Sequence, residues 1–204
     1  NLLSHALNTA VKEWGWLKEN PLKGIRRPAT PKPRDRLISN REIEKLLYAL
    51  GYEYDKDTPR ISERVGAAML FAIETAMRAS EITNLTWDNV DIERRTATLI
   101  ETKNGSKRNV PLSTEAVRIL NQVKSDDNDV FGIKPSQIDA LFRKAKKRTM
   151  ITDLHFHDTR ATAITRLSKK VDVLTLARIS GHRDLRMLQI YYRESAEDIA
   201  KKLD

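Results

Sequence analysis

Several short runs in this sequence place side chains that handle anions at positions where local structure could aim them. His157-Asp158-Thr159-Arg160 reads as the start of a helix, with Asp158 as its cap and Ala161, Ile164 and Leu167 as its apolar face. Residues three apart share a helix face, so His157 and Arg160 could approach one small anion from the same side. A helix N-terminus there would itself favour negative charge. The plainer account is a surface Arg and a hydrogen-bonded His, because His-x-x-Arg is a short pattern. Arg78-Ala79-Ser80-Glu81 sits where two helical patterns meet, with Ser80 placed to cap the second and Glu81 in its first turn. Arg78 is then fixed at a corner, or is a solvated Arg paired with Glu81. Lys103 precedes a tight turn whose tip also carries Lys107 and Arg108; three cations on a hairpin either solubilise it or enter a DNA groove. Gly181-His182 separates two short helical patterns. Asp184 can cap the second, which places Tyr191 about two helical turns further along, with Tyr192 about 100° away on the helix. A single Tyr such as Tyr191 is otherwise a half-buried aromatic with its hydroxyl bonded.

The chain that must hold these groups is basic. Its 37 Lys and Arg outnumber its 28 Asp and Glu, giving +9 and a pI near 9.7, which points to a polyanion as partner. Membrane surfaces and ribosomes attract basic proteins too. With 204 residues and 40% hydrophobic content, the chain can build a real core, and neither disorder nor a fibrous repeat is indicated. No stretch approaches the ~20 apolar residues of a membrane span, and Asn1-Leu2-Leu3-Ser4-His5 shows no basic region followed by an apolar block, so export is not expected. The absence of Cys removes disulfides, zinc-thiolate sites and thiol nucleophiles together, and suits a reducing cytoplasm.

The predicted elements are mostly helical. Leu3, Ala6, Leu7, Ala10, Val11, Trp14 and Leu17 have helical spacing, so Leu2 to Leu17 is expected to be one amphipathic helix ended by Asn20-Pro21. One helix cannot bury its own stripe, so residues 1–27 are expected to be the end of a domain that starts earlier. A basic, proline-stiffened linker follows at 28–38, containing Lys32, Arg34 and Arg36, and the main domain is expected over 39–204. It opens on Ser39-Asn40-Arg41-Glu42, a capping box, ahead of Ile43, Leu46, Leu47 and Leu50. Helical patterns recur at Val65 to Met77, Glu81 to Trp87, Thr114 to Val123, Gln137 to Lys147, Thr159 to Leu167, Val173 to Ile179 and from Asp184 onward. Between them, Thr96 to Thr102, Asn104-Gly105 and Arg108 to Pro111 read as a β-hairpin. The fold class is therefore mainly α with a small antiparallel β-sheet.

Taken together, these runs resemble the tyrosine recombinases of the phage-integrase type. Ala76-Met77-Arg78-Ala79-Ser80-Glu81-Ile82, with Leu85 and Trp87, is similar to that family's first Arg box, and Thr102-Lys103-Asn104-Gly105 with Val110-Pro111-Leu112 to its lysine hairpin. His157-Asp158-Thr159-Arg160 resembles the His-x-x-Arg box and Gly181-His182 the second His, with Tyr191 nine residues beyond that His where the family has its nucleophile. Five motifs in the right order make coincidence a poor account. The departures are Thr159 where Leu is usual, Ala161 where His often follows, and Ser180 in place of a common Leu. None removes a catalytic group.

The resemblance implies a chemistry. Arg78 and Arg160 would hold the non-bridging oxygens of a DNA phosphate, and Tyr191 would attack it, forming a 3′-phosphotyrosine. His157 would take the phenolic proton, Lys103 would protonate the departing 5′-hydroxyl, His182 would hydrogen-bond the phosphate, and Glu81 would orient the first Arg box. Neither metal nor cofactor enters that scheme. The implied partners are double-stranded DNA, a homotetramer assembled on it and DNA-bending accessory proteins, in a bacterial or phage-infected cytoplasm. A free chain of this length would be monomeric. Lys32, Arg34, Arg36, Lys107, Arg108 and Arg183 are the expected DNA contacts. Ala196 to Leu203 could form a tail helix that docks on a neighbour or on its own domain. Two other readings remain: a non-catalytic regulator using Val173 to Tyr192 as a helix-turn-helix, and a type IB topoisomerase.

Overall fold

In the computed structural model, the described residues are 2–26, 28, 34, 36–100, 107–125, 127–192, 197 and 200. They form two compact units, 1–34 and 35–204. In the first unit, α1 (Leu2–Lys12) is shorter than the apolar spacing predicts. Gly15 adopts a left-handed φ of +63°, which turns the chain and sets Trp14 against Trp16, tilted by 44° with 4.6 Å between ring centroids. Asn20 then fastens the return, donating to Asn8 Oδ1 at 2.6 Å and accepting from the Leu22 amide at 2.9 Å. Only Ala10 of α1 is buried; Leu2, Leu3 and Trp16 are exposed.

The second unit is built around α3 (Ile61–Thr75), which is apolar on every face and buried almost throughout, as a central helix must be. It packs against α2 (Asn40–Leu50), α5 (Thr114–Val123), α6 (Pro135–Arg148) and α7 (Asp158–Leu167). Small residues let these helices close on it. A Cβ on Gly66 would come 2.7 Å from Tyr52 Cβ, so only glycine admits that approach. The Ser39 capping box is present, with Ser39 Oγ accepting from the Glu42 amide and Glu42 accepting from the Ser39 amide at 3.0 Å. Arg36, expected in the linker as a DNA contact, instead pairs with Glu42 and lowers that carboxyl to about 2, so it helps clamp the start of α2.

The sheet is an antiparallel meander of β1 (Val90–Asp91), β2 (Thr96–Leu99) and β3 (Arg108–Pro111), with Ala97 opposite Val110 and Leu99 opposite Arg108. Ala97, Leu99 and Val110 face the core and Thr98 and Asn109 pair at 3.1 Å on the other face, the period-2 alternation expected of a half-buried sheet. Two-residue β1 is too short to leave a sequence pattern, and the predicted turn at Asn104-Gly105 lies outside the described residues. The remaining described α-helices are α4 (Ala79–Thr83), which lies between α3 and β1 in the sequence, and, after α7, α8 (Val173–Ser180) and the single-turn α9 (Arg186–Gln189). Among the described residues no helix is long and apolar enough to cross a membrane.

Candidate active site

The first Arg is positioned by a forced corner. At the end of α3, Ala76 takes a left-handed φ of +55°, unusual for a residue with a Cβ and worth about 1 kcal/mol of strain. That turn lets α4 begin three residues later, at Ala79. Arg78, not Ser80, is the N-cap: Glu81 reaches back to accept from the Arg78 amide at 2.8 Å, and its other oxygen accepts from Arg78 Nη1 at 2.8 Å. Ser80 sits inside the helix and is exposed, so the predicted cap is corrected by one pair of residues.

Glu81 has a second partner that reverses a sequence expectation. Arg108 is not a cation at the tip of a hairpin. Its Nη1 and Nη2 each donate to a Glu81 oxygen at 2.8 Å, its Nε donates to the Ile179 carbonyl at 3.1 Å, and its side chain is only 9% exposed. It therefore joins β3, α4 and α8 and is not available to a DNA groove. Strand parity carried this signal: Arg108 lies two residues before buried Val110 and so on the same, inward face, while Lys107 and Asn109 face out. Burial opposes the charge on Glu81, but the bonds from Arg108 and Arg78 outweigh it and hold the carboxyl below its ordinary range.

Arg160 approaches from α7. It is 4% exposed, and its guanidinium donates to the Ala76 carbonyl and, at 2.5 Å, to the Ser180 carbonyl. One side chain thus ties the ends of α3 and α8 to α7. Burial, then the charge of Arg78, push it down to about 10, so it stays cationic at neutral pH. Asp158 does not cap α7 forward as predicted; it is buried and accepts from the His155 amide at 2.8 Å. His157 stands exposed at the N-terminus of α7, one turn before Arg160.

Gly181 ends α8 with a φ of +72°, and a Cβ there would lie 2.8 Å from Arg108 Nη1, so the turn needs glycine twice over. Next to it, His182 Nδ1 is 2.7 Å from the Ser180 hydroxyl. Burial, then Arg160, Arg78 and Arg108, drive this imidazole down to about 4, which leaves it neutral. Tyr191 does not ride two turns along a helix. It follows the single-turn α9, with its amide donating to Leu188 at 3.0 Å and its carbonyl accepting from Ser168 Oγ at 3.0 Å. It is partly buried against the small apolar cluster that contains Ala76, Ala163, Ile164 and Leu188; burial raises its phenol and Arg160 pulls the other way. Tyr192 is committed elsewhere, its hydroxyl donating to the Val171 carbonyl at 2.8 Å.

Arg78, Arg160, His182 and Tyr191, scattered over more than a hundred residues of sequence, therefore converge around the ends of α3 and α8. Three guanidiniums share one carboxylate there, so the cluster carries a net positive charge, which favours an anion. Lys103 and Lys32 lie outside the described residues; Arg34, Lys107 and Arg183 are exposed. Among the described residues no group of three or more His, Asp or Glu is arranged to hold a metal ion.

Residues 36–198 match the phage integrase family model. The chain belongs to the phage integrase family. It is 45% identical to a putative integrase/recombinase of Haemophilus influenzae, over 99% of this chain and 67% of that protein, and 36% identical to the shufflon-specific DNA recombinase of Escherichia coli, over 100% and 52%. The chain thus spans about half to two thirds of the length of these curated relatives. Its fold is similar to that of a lambda integrase dimer bound to a core site, with a TM-score of 0.72 at 19% identity over 95% of this chain and 58% of that one. The fold is that of the tyrosine recombinase catalytic domain, mainly helical with a three-stranded sheet.

Proposed function

We propose that this chain carries the strand-cleaving and strand-joining site of a site-specific DNA recombinase. The observation that supports this most is the convergence of Arg78, Arg160, His182 and Tyr191 on one net-cationic cluster. A phosphodiester is a poor electrophile because its anionic oxygens repel nucleophiles. Arg78 and Arg160, held by Glu81 and by two backbone carbonyls, would take those oxygens without having to reorganise as charge builds up. The Tyr191 Oη–phosphorus bond would form while the bond from phosphorus to the 5′-oxygen breaks. The phenol, raised by burial, is almost entirely protonated at neutral pH, so the attack needs a base; His157 takes the proton and Lys103 supplies one to the leaving 5′-hydroxyl. His182, neutral and half-buried, bonds the phosphate and sets its position. The energy of the cleaved ester stays in the phosphotyrosine, so an incoming 5′-hydroxyl reseals the strand.

Double-stranded DNA is the partner that fits both this chemistry and the basic chain. Exposed Arg34, Lys107 and Arg183, with Lys32, are the contacts we assign to it; Arg36 and Arg108 are not among them because Glu42 and Glu81 hold them. Strand exchange requires several active sites, so a homotetramer on DNA, with accessory DNA-bending proteins, is part of the proposal, as is action at the nucleoid in the cytoplasm.

The test is a nicked suicide duplex carrying an attachment-site sequence, incubated with the protein and run on a denaturing gel. A covalent protein–DNA adduct is expected from the parent and from Tyr192→Phe, and none from Tyr191→Phe. An adduct lost only in Tyr192→Phe would move the nucleophile by one residue. No adduct from any attachment-site duplex that the protein binds would overturn the recombinase reading.

A further inference from the structure

Ser180 stands where the family resemblance leads one to expect leucine, and it is fully buried at the last turn of α8. A buried hydroxyl must be bonded to be tolerated. This one has two partners: the Leu176 carbonyl at 2.6 Å and His182 Nδ1 at 2.7 Å. The same residue's carbonyl accepts from Arg160 at 2.5 Å, so Ser180 touches two of the groups assigned to the phosphate.

A hydroxyl has one proton and two lone pairs, while a neutral imidazole has one N–H and one bare nitrogen. Two arrangements satisfy the contacts. In the first, Ser180 donates to Leu176 and accepts from Nδ1–H, which leaves Nε2 as a bare acceptor among the guanidiniums of Arg78, Arg108 and Arg160. Both observed contacts are then true hydrogen bonds. In the second, the hydroxyl rotates away from Leu176 and donates to Nδ1, so Nε2 carries the proton. A non-bridging phosphodiester oxygen, which only accepts, can bond the neutral His182 ring in the second arrangement alone. Water exchanges the proton: one leaves Nδ1 and one arrives at Nε2. A leucine could hold neither form.

We propose that Ser180 is a positioning residue for His182: its hydroxyl grips Nδ1 as acceptor or as donor, so Nε2 offers a lone pair in the free protein and an N–H to an entering phosphate oxygen. The Leu176 carbonyl accepts the hydroxyl's hydrogen bond in the first state and loses it in the second. The role of the second state rests on the recombinase reading; the Ser180–His182 bond in the free protein does not.

The experiment is nitrogen NMR of the full chain labelled with 15N-histidine, which has four His to resolve, without and with dimethyl phosphate, a diester whose free oxygens only accept. In the free parent, Nδ1 of His182 is expected to carry the proton; phosphate should move it to Nε2. Ser180→Ala should lose the free-state preference for Nδ1–H, and so should Ser180→Cys, which keeps the volume but bonds weakly. Ser180→Thr, which keeps a hydroxyl, should restore it. In the suicide-duplex assay Ser180→Ala and Ser180→Cys should form adduct about ten-fold more slowly, the worth of one hydrogen bond, with duplex affinity within about two-fold of the parent. If Ser180→Ala does not fold, Ser180→Cys and the parent's phosphate titration still decide.

The proposal is overturned if free His182 is already Nε2-protonated, if its nitrogen shifts ignore the loss of the Ser180 hydroxyl, or if both hydroxyl-free variants cleave at the parental rate. A parent that shows the Nδ1–H state and its loss in Ser180→Ala, yet forms no adduct and ignores phosphate, would sink the recombinase reading while leaving the bond intact.

Discussion

Replacing Glu81 with Gln keeps the side chain's shape and removes its charge, and the surroundings set how much that should matter. The carboxylate is 4% exposed and accepts two 2.8 Å bonds from Arg108, itself 9% exposed, and one each from the Arg78 guanidinium and amide. Removing one partner of a buried ion pair costs about 3–5 kcal/mol, because the other charge is left uncompensated. The amide oxygen of the glutamine could still accept one bond from Arg108, and Arg78 is 21% exposed, so solvent screens its share and the lower end applies, about 3 kcal/mol. For a folded unit of this size that lowers Tm by about 6–12 °C. In urea the midpoint should fall while the slope stays the same. Arg108→Gln should cost a similar amount, and the double variant little more than either, a coupling of about 2–3 kcal/mol. Adduct formation should drop at least about ten-fold in Glu81→Gln, since Arg78 loses the anchor that aims it. A stability within about 0.5 kcal/mol of the parent, or additive costs in the cycle, would refute the view that this carboxylate holds the cluster together.

Three further outcomes are expected. Gly181→Ala should lose about 1–2 kcal/mol in urea unfolding, since its φ of +72° strains any side chain and the new methyl would meet Arg108 Nη1 at 2.8 Å. The pH profile of stability should carry a contribution from His182, whose folded value near 4 lies below the 6.5 of an unfolded His. Between those values only the unfolded chain binds the proton, so stability is full above about pH 6.5 and falls toward pH 4, by on the order of 2 kcal/mol for a half-buried ring; His182→Gln should flatten that limb. Tyr192→Phe should cost about 1 kcal/mol in thermal unfolding by losing its bond to the Val171 carbonyl.

Local rules were enough for most elements. The Ser39 capping box, the amphipathic run of α5 and the strand pair about Asn104-Gly105 could be read because caps, helix faces and hairpins are decided by residues a few places apart. Element ends were read less well. Helix α1 stops at Lys12 because Gly15 turns the chain, and α4 begins at Ala79 because Ala76 accepts a left-handed backbone that its residue type does not favour.

The candidate site divides the same way. The residue types, their order and the resemblance they carry were present in the one-dimensional string, which is why Arg78, Arg160, His182 and Tyr191 could be named from it. What each of them touches was not. Arg108 looked like a solvated cation until the sheet turned its face toward Glu81, 27 residues away, and Arg36 looked like a DNA contact until α2 presented Glu42. Ser180 read only as a departure from a common Leu; its meaning appeared when the end of α8 brought its carbonyl to Arg160 and its hydroxyl to His182. Sequence fixes the chemistry available to each side chain, whereas charge pairing, desolvation and tautomer depend on neighbours in space, and only the packing of α3, α4, α7, α8 and the sheet decides who those neighbours are.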